Sequence, residues 1–142
     1  MNDTAALLKE CNAGCKSATN NMEQMRAYIT NQRLKSLVSD YNDRHIALGD
    51  KCHALLDKIG ETEKDPSPIP AAMAKMSNTI RLTFSDDTAH IAGLLCDGCN
   101  MGIKSLAKYK NKYTEASEDA KRITQDLIDL EVHMTQDLLA FL

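Results

Sequence analysis

The residues best equipped for chemistry are thiols. Cys11 and Cys15 stand four apart, and Cys96 and Cys99 stand three apart, spacings that put each pair on one face of a helix. His45 joins them if the chain turns back near residues 30 and 31, because position 46 then lies at the height of Cys15. Thiolates with an imidazole suit Zn, Cu(I) or an iron–sulfur cluster. Cys11, Cys15, His45, Cys96 and Cys99 are therefore the candidate metal ligands, with Zn, Fe and Cu as the metals to test. A plainer reading competes and is favoured. A free cysteine packs as a small hydrophobe, and these spacings match no specific zinc pattern, so no cofactor is expected. Thiol redox chemistry ranks third: Cys96–Cys99 is formally C-x-x-C but lacks the βαβ setting of a thioredoxin-type motif.

Other candidate groups point less sharply. His45 also suits a core histidine bonded to a polar neighbour. His133 falls beside the apolar position Met134, and His53 and His90 read as surface residues. Lys104, Lys108, Lys110 and Lys112, with Tyr109 and Tyr113, make a basic stretch. Cations near a helix C-terminus suit its dipole, and no nucleic-acid recognition motif accompanies them. No nucleophile–base–orienter set and no phosphate loop is legible, so the reading leans away from an enzyme.

The elements that must position these groups are helices. Leu8, Cys11, Cys15, Ala18, Met22, Met25 and Ile29 alternate by three and four residues, the stripe of a long helix over about 4–29. Leu34, Val38, Tyr41, His45, Leu48, Cys52, Leu55 and Ile59 make a second stripe over about 32–59. Thr30-Asn31 supplies the turn and cap between them, and Gly60 the stop. Pro66, Pro68 and Pro70 mark a linker, followed by a short helical piece with Met73, Met76, Ile80 and Phe84 on one face. Ser85-Asp86-Asp87 caps a third long helix reaching about Tyr113. Ser117 caps a fourth with Ala120, Ile123, Leu127, Leu130, Met134, Leu138 and Phe141 inward.

A phrase recurs. CNAGCKS at Cys11–Ser17 returns as CNMGIKS at Cys99–Ser105, 88 residues later. That offset lays the first long helix on the third. An offset of 89 lays the stripe of the second on the fourth, which implies one extra residue in the second turn. The chain reads as two antiparallel helical hairpins, about 4–60 and 85–142, joined by a crossover over about 61–84. Gly14 and Gly102 repeat too, although a mid-helix Gly costs about 1 kcal/mol relative to Ala. Close approach of the first and third long helices is the expected reason, with room for a ligand as the alternative.

ECNAGCKS and DGCNMGIKSLAKY, in this layout, resemble a bacterial ferritin-like family, domain of unknown function 2383, over nearly the whole chain. The resemblance implies an all-α four-helix bundle with a long crossover, and no activity. Ferritin-like di-iron proteins hold metal with a Glu on each of two helices and Glu-x-x-His on the other two. Cys15 and Ile103 stand where the resemblance implies Glu. The second helix offers Asn42-x-x-His45 and the fourth Glu131-x-x-Met134. Only His45 and Glu131 keep the pattern, so a ferroxidase-type centre is not expected.

Bulk composition agrees with one domain spanning 1–142: 43% hydrophobic, 26% charged, 4% aromatic, with a formal net charge of −3. The charge gives no reason to expect nucleic acid. MNDTAALLKE lacks a signal-peptide pattern, and no apolar run approaches the ~20 residues of a membrane span. A cytoplasmic protein with no membrane contact is expected, its five cysteines reduced. The leading functional expectation is a non-catalytic bundle that works by binding or assembly, with an unidentified protein partner or as a homodimer. A metal- or thiol-binding protein is the alternative, and a degenerate di-iron-type oxidoreductase the third.

Overall fold

The computed structural model describes residues 2–63 and 87–142, and these form four α-helices and no strand. They are α1 (Asp3–Arg26), α2 (Gln32–Lys58), α3 (Thr88–Lys112) and α4 (Glu118–Leu138), followed by a 3₁₀ turn at Leu139–Phe141. The short helical piece expected in the crossover, with Met73, Met76, Ile80 and Phe84, and the three prolines lie outside the described residues. No described helix is long and apolar enough to cross a membrane.

Local chemistry sets the ends. The Asn31 side chain accepts from the Leu34 N–H, Asp87 from His90, and Ser117 from Ala120, each satisfying an amide that the first helical turn leaves free. After α2, Gly60 adopts φ +72°, the left-handed conformation that only glycine takes cheaply. Asn2 caps α1 through the Thr4 amide, a cap the sequence pattern had not singled out.

The stripes pack into two apolar clusters. One draws Met22 and Met25 from α1, Leu34 and Val38 from α2, Ile91 and Leu95 from α3, and Met134 and Leu138 from α4. The other joins Leu7 and Leu8 to Leu56, Leu106, Ala120, Ile123 and Leu127. Burying each Leu, Ile or Met side chain contributes roughly 1.5–3 kcal/mol. These partners also give the helix directions. α1 runs antiparallel to α2, because Cys15 meets Gly49 while Lys9 meets Glu61. α4 runs antiparallel to α2, because Tyr41 meets Asp137 while His45 meets Glu131. α3 runs antiparallel to α4, with Gly102 on Glu131 and Lys110 on Gln125. α2 therefore ends beside the start of α1, whereas α3 begins beside the end of α1. The connection between them has to travel the length of the molecule.

The turns correct one expectation, their difference in length. Each leaves five residues outside helix, 27–31 and 113–117, so the second holds no extra residue. Counted from the helix ends at the turns, the hairpins differ by 86 (Arg26 to Lys112, Gln32 to Glu118), but that count would set buried Cys11 and Met22 on exposed Asp97 and Lys108, whereas 88 sets Cys11 on buried Cys99. At an offset of 86 the inward residues of α2 still fall on buried residues of α4: Leu34 on Ala120, Val38 on Thr124, Tyr41 on Leu127, His45 on Glu131. The repeated cysteine phrase then stands two residues out of step with its turn.

Candidate functional site

Between the two apolar clusters lies a polar layer. His45 is inward on α2, one turn after Tyr41 and inside a helix fixed by Leu34 and Val38. Its Nδ1 lies 2.7 Å from the Tyr41 carbonyl oxygen, and a carbonyl only accepts, so Nδ1 donates. Its Nε2 lies 2.7 Å from Glu131 Oε1 on α4, with the two side chains 1% and 9% exposed. One proton must sit between those atoms. The pair is either imidazolium with carboxylate or imidazole with carboxylic acid, and in both forms each group satisfies the other.

Cys99 of α3 faces the same carboxyl. Burial, and then the charge of Glu131, hold its thiol well above the usual range. Nucleophilic chemistry needs the reverse order, with a base next to sulfur and the carboxylate behind it. Here the carboxyl stands between the thiol and the imidazole, so the thiol is kept protonated. Gly102 lies against Glu131: a Cβ there would lie 3.4 Å from the carboxyl carbon, in van der Waals contact. The layer also buries Ser17, Asn21 and Asn42, and Ser17 Oγ, Asn21 Oδ1 and Asn42 Oδ1 have no hydrogen-bond partner.

A second group of reactive atoms lies toward the start of α1. Cys11 and Cys15 face Cys52 of α2, whose thiol interacts with both. Cys11 Sγ is 3.1 Å from Thr124 Oγ1, and the Thr124 hydroxyl donates to the Ala120 carbonyl at 2.8 Å. With its one hydrogen so placed, Thr124 can only accept from Cys11, which fixes Cys11 as the S–H donor. The contact with Cys52, followed by burial, pushes the Cys11 thiol up. For Cys52 the contact with Cys11 acts downward, but contact with Cys15 and burial outweigh it and leave the thiol at about 12.

The five candidate ligands are thus divided. Cys11 and Cys15 belong with Cys52. His45 and Cys99 belong with Glu131. Cys96 belongs to the apolar cluster that holds Ile91, Leu95 and Met25, its thiol raised by burial and then by Asp97. Among the described residues, no group of three or more His, Cys, Asp or Glu side chains is arranged to hold a metal ion. Two partners were missed in the sequence. Cys52 was visible as a stripe residue of the second helix. Glu131 was read as a lone remnant of a metal pattern, whereas the antiparallel packing of α4 on α2 sets it opposite His45.

The remaining candidates fall on the outside. His53 is exposed between Asp57 and Glu63, and His133 is exposed, while His90 is half-buried rather than on the surface. Glu63 accepts from Lys16, Asn12 and His53. Those bonds, Lys16 first, hold its carboxyl down at about 2 and tie the start of the crossover back to α1. Lys110 bonds Gln125, and Tyr109 stacks on Tyr113. No protein-family model, curated protein or solved structure matches this chain.

Proposed function

We propose that this protein is a metal-free bundle of ferritin-like topology that works by binding or assembly rather than by catalysis. The helix directions favour that topology. α2 and α3 point the same way, and their connection must run from one end of the bundle to the other, as a long crossover does. The observation that carries the functional reading is the 2.7 Å pairing of His45 Nε2 with Glu131 Oε1. Ferritin-like di-iron proteins hold their metal in the core of the bundle, between facing helices. Two iron ions there would need several carboxylates to neutralise them, each with a free oxygen. The layer supplies one carboxyl, and its near oxygen is spent on the imidazole. Its other polar members, Ser17, Asn21 and Asn42, are neutral, and Gly102 offers no ligand. The residues do not fit the metal.

Assembly is the role left to such a scaffold. Ile46 on α2 and Met101 on α3 are 42% and 47% exposed, and Leu139 and Leu142 project at the C-terminal end. They supply apolar surface for a second copy or another protein. Five free cysteines suit a reducing cytoplasm. The test is to add Fe(II) under nitrogen to the purified protein, admit oxygen, and measure bound iron and oxygen uptake. No stoichiometric iron and no uptake above buffer is the expected result. Iron retained in fixed stoichiometry by the wild type, and lost in Glu131→Gln, would overturn the metal-free reading.

A further inference from the structure

The His45–Glu131 layer explains nothing about the three thiols at the other cluster, and these carry an inference of their own. Three cysteines from two helices meet inside one apolar region. Cys52 lies in one buried apolar cluster with Cys11 and Cys15, and all three are free. The spacing of α1 and α2 at this level is unusually small. A Cβ built on Gly49 would stand 3.3 Å from Cys15 Cβ. Disulfides join Cβ atoms about 3.5–4.5 Å apart, so at Gly49, three residues before Cys52, the two backbones approach as closely as such a bond requires. Cys52 is three residues beyond Gly49 on α2, and Cys11 is one turn before Cys15 on α1, which makes Cys11 and Cys52 the next rung of the same contact.

We propose that Cys11, Cys15 and Cys52 form a thiol–disulfide exchange site in which Cys52 is the shared partner, able to close a disulfide to either α1 cysteine. The co-reactant is a low-molecular-weight disulfide, R–S–S–R. A thiolate of the cluster attacks one of its sulfurs. A protein–S–S–R bond forms, the R–S–S–R bond breaks, and R–S⁻ leaves and takes up the proton released by the attacking thiol. A second cysteine of the cluster then attacks the protein sulfur of the mixed disulfide and expels the second R–S⁻. In sum, two protein thiols and R–S–S–R become one protein disulfide and two R–SH. The third cysteine remains a thiol within reach of the new bond and can move it: if Cys11 and Cys52 are joined, Cys15 can attack Cys52 and release Cys11.

Burial sets the rate, not the outcome. The thiols are held protonated and out of solvent, so exchange proceeds through local opening of the hairpin and is slow. Excess R–SH reverses it. The product staples α1 to α2, which raises the melting temperature.

The experiment uses the full chain, folded, with glutathione disulfide, quenched with iodoacetamide and read by peptide mass spectrometry. Expected in the wild type is a single intramolecular disulfide, two hydrogens lighter, joining Cys52 to Cys11 or Cys15, with Cys96 and Cys99 alkylated after denaturation. Cys11→Ala is expected to give the Cys15–Cys52 bond and Cys15→Ala the Cys11–Cys52 bond. Cys52→Ala is expected to lose the intramolecular bond. The wild-type map decides the matter even if a variant fails to fold. A wild-type protein that stays fully reduced while its urea-unfolded form oxidises would overturn the proposal. So would a bond to Cys96 or Cys99 in its place, or a Cys11–Cys15 bond in Cys52→Ala formed as readily as the wild-type product. If only one of the two single variants closes a disulfide, the shared role of Cys52 fails.

Discussion

At the scale of single residues the His45–Glu131 pair governs the interior. Its geometry leaves one proton for two atoms, and each group is the other's means of satisfying a buried polar site. Removing one partner strands the other away from water. Glu131→Leu should therefore destabilise the protein by about 2–3 kcal/mol. Adding His45→Leu should restore most of that loss, because two apolar side chains of similar size need no partner. Glu131→Gln should be milder than either single change to Leu, since its amide can donate to the free Nε2 while Nδ1 still donates to the Tyr41 carbonyl. Urea denaturation of the four variants measures the cycle. Additive losses in the double variant would show that the pair is not coupled. The same residues show why the site was only half legible in the sequence. His45 announced itself as a lone polar group on an apolar stripe. Its partner could not be chosen until the register between α2 and α4 was fixed, and that depends on how the turns pack.

At the scale of elements, what could be read were the features that act locally. The three-four spacing of apolar residues gave four long helices, and Asn31, Gly60, Asp87 and Ser117 stopped or started them where their side chains or backbone freedom required. Register was illegible because a stripe is nearly unchanged by a shift of three or four residues, so offsets of 86 and 89 bury equivalent faces. The glycines show the same limit. Gly14 was expected at a close approach, yet a Cβ there would meet nothing within 4 Å. Gly49, which the sequence did not single out, is the position where α1 and α2 come close, with a built Cβ 3.3 Å from Cys15 Cβ. Gly14→Ala should gain up to about 1 kcal/mol through helix propensity alone. Gly49→Ala carries the same propensity gain but has to push the hairpin apart by a few tenths of an ångström, so it should gain nothing and is expected to lose stability. The urea midpoints of the two variants should move in opposite directions. Equal gains would mean that the α1–α2 contact is looser than its geometry indicates.

At the scale of the whole molecule, the interior is built to keep acidic hydrogens on. Cys11, Cys52, Cys96 and Cys99 all have thiols raised above the ordinary value of 9.0, and Tyr41 is raised to about 12, by burial and then by its bond to Asp137. In the unfolded chain these thiols ionise near pH 9 and the phenol near pH 10. Between there and about pH 12 the unfolded chain binds fewer protons than the folded one, so stability falls as pH rises. The contribution is fully present below about pH 9 and is lost on the way to 12. Each such group adds a slope of up to about 1.4 kcal/mol per pH unit once its unfolded form has ionised. Several act together, so the loss should be steep: the protein should tolerate pH 8 and unfold cooperatively well before its lysines discharge. Circular dichroism followed against pH, with thiolate absorbance recorded in the same samples, measures it. The two signals should change together, because the thiols ionise only when the helices come apart. Cys52→Ala should make the decline shallower, because it removes one such group and with it the largest upward push on Cys11. Thiolate absorbance that rises near pH 9 while the helix signal is intact would show that the cysteines reach solvent in the folded protein, and the alkaline limit would then have to come from Tyr41 alone.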